Sequence, residues 1–269
     1  KGNMENYKYY NDNNFVSSYR ISKFVVDWMR ERGDMRLPKL AEMMIKLDGK
    51  NADPTDLANY KGVIPNPGAT GDNNNTDMED GSQSRLKSKW YLEPVGPSAM
   101  NIGYPEQEFI LAEAALRGWT EDDPETHYLN GIRAAHEFLG VSSADTRAYL
   151  GHEKVQFKGS DTEKLGKIIT EKYLNFFMQG GNEAYFELRR TGYPDFSAYL
   201  THNTDQIYND GYLPLRYRYP QSEIDNNNAQ VSEAIKRLDK GDDRNSRMWL
   251  LQGSDPLFNP APFPFRYKN

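Results

Sequence analysis

The chain of 269 residues has four His and no Cys, which limits the chemistry open to it. Without Cys there is no disulfide framework, thiolate metal cluster or thiol nucleophile. His136-Glu137 and His152-Glu153 each begin like the helix of a zinc hydrolase. Neither has a second His three residues past the Glu, and zinc geometry needs two imidazoles one turn apart. Gly159 through Gly166-Lys167 has the outline of a phosphate loop. Its glycine spacing is too long and Ile168 stands where a magnesium-binding hydroxyl belongs, so it reads as a loop entering a helix. Glu121-Asp122-Asp123 supplies neighbouring carboxylates, but nothing fixes a pair at the roughly 5–10 Å that a glycosidase acid and base require. The segment Asp72 to Gly81 offers hard oxygen ligands for Ca²⁺ without the sixth-position Gly of a helix–loop–helix calcium site. A flexible polar loop is the plainer reading.

Aromatic residues among amides are more informative. Tyr60, Trp90 and Tyr91 lie in or beside a stretch poor in core-forming residues, close in sequence to Asn66 and Asn73. A flat ring can cover the C–H face of a pyranose while amides bond its hydroxyls, so these five residues are the candidate ligand contacts. The competing role is anchoring of the loop onto the body of the protein, which for any single Tyr or Trp is the commoner one. Exposed, coplanar rings favour sugar, whereas buried rings beside an apolar or charged groove favour a peptide ligand or a scaffold role. On the platform reading, Trp90→Ala weakens ligand binding with little effect on folding.

The elements that must position these groups follow from patterning. Thirty-four aromatics (18 Tyr, 12 Phe, 4 Trp) and a net charge of only −6 predict a folded chain despite sparse aliphatics. A pI near 5.4 with no Lys/Arg-rich block argues against nucleic acid as a partner. No apolar run approaches the roughly 20 residues that span a bilayer. Residues 15–47 predict two helices, stopped at Gly33 and restarted near Pro38. Residues 48–103, crowded with turn formers, predict a long surface excursion. Tyr104 to Gly118 and Asp123 to Gly140 predict an antiparallel helix pair, and Leu165–Phe177 with an Asn182-capped helix ending at Thr191-Gly192 predicts a second. Residues 193–269 predict irregular structure with one helix at about Asn227–Leu238 and a Pro-rich extended tail.

One family matches these blocks in order. Tyr104–Trp119 (YPEQEFILAEAALRGW) with Tyr128–Ile132, Ile168–Leu174, Glu183–Pro194 (EAYFELRRTGYP) and Arg218–Ile224 followed by Asn226–Asn228 resembles the SusD/RagB outer-membrane lipoproteins of Bacteroidetes. Arg20–Lys23, Asp34–Pro38 and Tyr60–Gly62 agree in texture. The resemblance implies a mostly α fold of tetratricopeptide-like helix pairs with long irregular loop excursions, forming a single domain over residues 1–269. It also implies a protein that is not an enzyme and needs no cofactor, with Ca²⁺ at 72–81 the lone exception considered. The partners it implies are a glycan captured at the cell surface and a SusC-like TonB-dependent transporter in the outer membrane. Peptide capture, or a lid role on such a transporter, is the alternative. Family members carry a lipidated N-terminal Cys and further N-terminal helices that this sequence lacks, so the expectation is a C-terminal part of such a protein. Read as scaffold, Glu113 and Arg117 pair one helical turn apart, and Arg189-Arg190 complements a helix end.

Overall fold

The computed structural model describes residues 19–63, 81–93, 98, 100–196, 198, 199, 214–246 and 248. Within these, nine α-helices and one two-stranded sheet form a mostly helical protein. They are α1 (Lys23–Glu31), α2 (Leu37–Leu40), β1 (Ala41–Met44), β2 (Ser84–Leu86), α3 (Tyr104–Leu116), α4 (Pro124–Phe138), α5 (Ser143–Gly151), α6 (Asp161–Asn175), α7 (Glu183–Thr191), α8 (Gln221–Asn226) and α9 (Asn228–Ile235). No described helix is long and apolar enough to cross a membrane.

Local signals explain the helix boundaries. Pro105 and Pro124 sit in the first turns of α3 and α4, and Asp123 caps α4 through the backbone amides of Glu125 and Thr126. Ser160 and Glu163 form a reciprocal capping box at α6, which makes the 159–167 segment a helix entrance, as its sequence suggests. The short connection 117–123 folds α4 back along α3, giving the predicted pair.

Three parts of the sequence reading change. The second helix of the 15–47 region is a single turn that passes directly into β1, which pairs antiparallel with β2 and so ties the two ends of the excursion together. Residues 143–151 form a helix of their own, and α8 precedes the expected C-terminal helix. Asn182 precedes α7 with αR backbone angles and makes no side-chain cap. The strand pair extends through backbone bonds at Lys23 N to Val63 O (2.7 Å) and Ser84 N to Lys61 O (2.7 Å). A Cβ on Gly62 would lie 2.5 Å from the Lys23 Cα, so that approach requires glycine.

Two apolar cores share one helix. Phe24, Val25, Met29, Leu37 and Leu40 pack with Tyr60, Trp90, Tyr91 and Leu174, while Phe109, Tyr128, Ile132 and Tyr149 pack with Leu165, Ile168 and Ile169. α6 serves both because its apolar positions recur at three- and four-residue spacing and it is buried around much of its circumference. Between the cores lies a buried ionic cluster. The Arg36 guanidinium donates to Asp34 (Nε to Oδ2, 2.8 Å) and to Glu171 (Nη2 to Oε2, 2.8 Å), and the Tyr149 hydroxyl donates to Glu171.

Candidate functional site

The structure buries the three aromatic rings expected to form a ligand platform. Tyr60, Trp90 and Tyr91 are 1%, 2% and 4% exposed. The Tyr60 hydroxyl donates to the Pro54 carbonyl at 2.9 Å, and burial pushes its pKa up to about 12. Trp90 meets Phe177 edge-on, with centroids 5.8 Å apart. Burial likewise raises the Tyr91 phenol. These rings are anchors for the ends of the excursion: β1, β2 and the 3₁₀ turn Ser88–Trp90 press them onto α1 and α6, where their area is worth more than on a polar surface. Asn66 and Asn73, with nearly all of the 72–81 segment considered for Ca²⁺, lie outside the described residues. Among the described residues no group of three or more His, Asp or Glu is placed to hold a metal.

A different surface has the concavity a ligand needs. A cleft of about 410 Å³ is lined by Tyr185, Pro214, Arg216, Tyr217, Arg218 and Arg244. That volume falls within the range of small-molecule sites, roughly 300–1,000 Å³. A second cavity, lined by Arg36, Trp90 and Phe177 among others, measures only about 10 Å³ and belongs to the core.

α7 is the wall of the cleft. Glu183 in its first turn and Arg189 and Arg190 in its last complement the dipole, and Gly192 ends it at φ 77°. Leu188 and Thr191 face the interior, and Tyr185, one turn before Leu188, is half-buried on the same stripe. The helix is locked to the pair α3/α4 by charge. Arg190 grips Glu113 through Nη1–Oε1 (2.6 Å) and Nη2–Oε2 (2.7 Å), and Arg117 Nε joins Oε1 at 2.8 Å, the predicted one-turn pair. Burial works against the Glu113 charge, and Arg190 with Arg117 outweighs it, holding the carboxyl below its ordinary range. Lys172 of α6 adds a 3.0 Å bond to Glu187.

The floor is residues 214–219, kept out of helix by Pro214 and Pro220. Tyr185 donates its hydroxyl to the Pro214 carbonyl (2.5 Å) and Arg189 Nη1 donates to the Leu215 carbonyl (2.9 Å). The amides of Leu215 and Arg216 both point at the Arg244 carbonyl, at 2.8 and 3.3 Å, which places Arg244 on the rim. Tyr217 is 56% exposed, its ring 5.5 Å from that of Tyr185 at 64°, and its hydroxyl donates to Asn182 Oδ1 at 3.0 Å. This bond gives Asn182 a role in orienting Tyr217 in place of capping α7.

Arg216 is buried and pairs with Asp242 at 2.6 Å, while Arg218 lies 3.5 Å from the other oxygen of the same carboxylate. Burial opposes ionisation of Asp242, and Arg216, the Tyr219 amide and Arg218 together lower its pKa, so it stays charged. The cleft thus presents ring faces and guanidinium donors. Such a lining can bind and orient a ligand. Sequence reasoning read Tyr185 and Arg218 within scaffold blocks and did not single out Pro214, Arg216, Tyr217 or Arg244 as ligand contacts. The available signal was the alternation of guanidinium and phenol in Arg216-Tyr217-Arg218-Tyr219 between two prolines.

Comparison with known proteins fits this architecture. The SusD-like family described as "Starch-binding associating with outer membrane" matches residues 1–220. A SusD homologue from Bacteroides fragilis superposes with a TM-score of 0.81 at 30% identity, over 91% of this chain and 55% of its own. A Bacteroides vulgatus protein whose description points to the outer membrane and nutrient binding gives 0.79 at 29% identity, over 91% and 54%. A chitin-binding protein gives 0.66 at 26% identity, over 87% and 50%. No curated protein matches the chain. The chain therefore spans about half the length of these solved relatives. With a family match over most of its length and a fold that superposes on those relatives, the chain belongs to the SusD-like family.

Proposed function

We propose that the protein captures oligo- or polysaccharide at the outer-membrane surface without breaking bonds and passes it to a SusC-like TonB-dependent transporter. The observation that carries this reading is the membership of a starch-binding family together with an open cleft that exposes Tyr217 beside Tyr185. A chitin-binding protein among the structural relatives supports a saccharide as the ligand class. Ring faces and hydrogen-bond donors are what reversible sugar binding needs. Asn66 and Asn73 are retained as proposed ligand contacts.

Peptide capture, or a lid role, is the second reading. It is favoured by the burial of Tyr60, Trp90 and Tyr91 and by the charged character of the cleft. A glycan array probed with the intact protein separates the two. Saturable binding to saccharides supports glycan capture. Absence of saccharide binding together with binding to a peptide library supports the second reading.

A further inference from the structure

The ligand class can be narrowed further. We propose that the cleft between α7, residues 214–219 and Arg244 is an acidic-glycan site, taking a uronate carboxylate on its guanidinium groups while a sugar ring lies against Tyr217. The proposal rests on the glycan-capture reading above and adds the charge of the ligand.

The charge balance of the cleft carries the argument. Its lining holds three arginines and no carboxylate, in a protein whose net charge is −6. Arg216 and Arg218 share the single carboxylate of Asp242, which is also occupied by the Tyr219 amide at 3.1 Å. The neighbouring Asp243 turns one oxygen to the Asn245 amide at 2.6 Å. Arg244 is exposed and has no ion pair with a described residue, although its backbone is fixed by two hydrogen bonds. Two guanidinium groups, those of Arg218 and Arg244, thus reach solvent at one mouth, where three arginines stand beside two carboxylates and, among the described residues, only that of Asp242 pairs with an arginine. A guanidinium presents a planar fork of donors that matches a carboxylate with two parallel bonds. Tyr217, held by Asn182, supplies the flat apolar face beside that fork. A neutral glycan would leave those charges unanswered, and a purely ionic ligand would not use the exposed ring. A uronic acid residue uses both.

The test is a titration of the intact protein with oligogalacturonate and with the same oligosaccharide after carboxyl reduction, which keeps the ring and removes the charge. The acidic form should bind at least tenfold more tightly, and raising salt from 50 to 500 mM should weaken it. Arg244→Ala and Arg218→Ala should each lower that affinity about tenfold with an unchanged melting temperature. Arg244→Lys, which keeps the charge and loses the fork, should fall between. Both arginine side chains are exposed, so their loss leaves folding intact. Equal affinity for acidic and reduced forms, or full affinity in both alanine variants, overturns the acidic-glycan site and leaves glycan capture standing. Binding of poly-glutamate with no binding of any saccharide overturns both.

Discussion

At the scale of single residues, burial decides role. Trp90 looks like a ligand platform in sequence and is a core side chain in the fold, 2% exposed and packed on Phe177. Trp90→Ala should therefore cost about 3–5 kcal/mol in urea denaturation, as a large-to-small core change does, and leave glycan affinity of the folded fraction unaltered. Loss of affinity at full stability would restore the platform role. His136 makes the complementary point. It is fully buried beside Arg36, with its Nδ1 3.2 Å from the Thr146 hydroxyl and its Nε2 3.5 Å from the Asp34 carboxylate. Burial first, and then the Arg36 charge, push its pKa from 6.5 down to about 3. Between those values the unfolded chain takes up a proton that the folded chain refuses. Stability should fall as pH drops from about 6.5 towards 3, with this one residue contributing a slope approaching about 1.4 kcal/mol per pH unit. Denaturant midpoints measured from pH 7 to pH 4 should show that decline, and His136→Asn should flatten it.

At the scale of elements, the cleft depends on how α7 is held. Glu113 is buried and takes both Arg190 and Arg117, and Arg190 is partly exposed, so removing the carboxylate costs less than a fully buried pair would. Glu113→Gln should destabilise by roughly 2–3 kcal/mol. Because α7 carries Tyr185, the same change should weaken ligand binding although Glu113 does not line the cleft. A thermal melt beside a binding titration reads both. The α3/α4 contact is equally specific: a Cβ on Gly131 would lie 2.6 Å from Phe109, so Gly131→Ala should cost about 1–3 kcal/mol by overpacking, measurable by the same melt. These helices were legible in the sequence because their signals are local: Pro105 and Asp123-Pro124 at starts, Gly118 and Gly140 at ends, and spaced apolar positions between. The β1/β2 pair was not legible, since Ala41–Met44 is only four residues long and finds its partner at Ser84–Leu86, far along the chain. The fate of Tyr60, Trp90 and Tyr91 was hidden for the same reason. Whether a ring in a polar stretch is exposed depends on what the fold lays over it, and here α1 and α6 meet it.

At the scale of the whole molecule, α6 joins two cores around the Arg36–Asp34–Glu171–Tyr149 cluster, and the irregular segment 214–219 lines the proposed ligand cleft with α7 and Arg244. The family was legible from ordered blocks spread over the chain, because those blocks are the helix ends and ion pairs that build the scaffold. The site was not, because its rings and guanidinium groups come from α7, the 214–219 segment and Arg244, which the fold alone brings together. Calorimetric titration of the intact protein and its Tyr217→Ala variant with soluble polysaccharides tests whether the cleft captures glycan. Saturable glycan binding that weakens about tenfold in the variant at unchanged melting temperature is expected. No heat with any polysaccharide, or equal affinity in the variant, would contradict it.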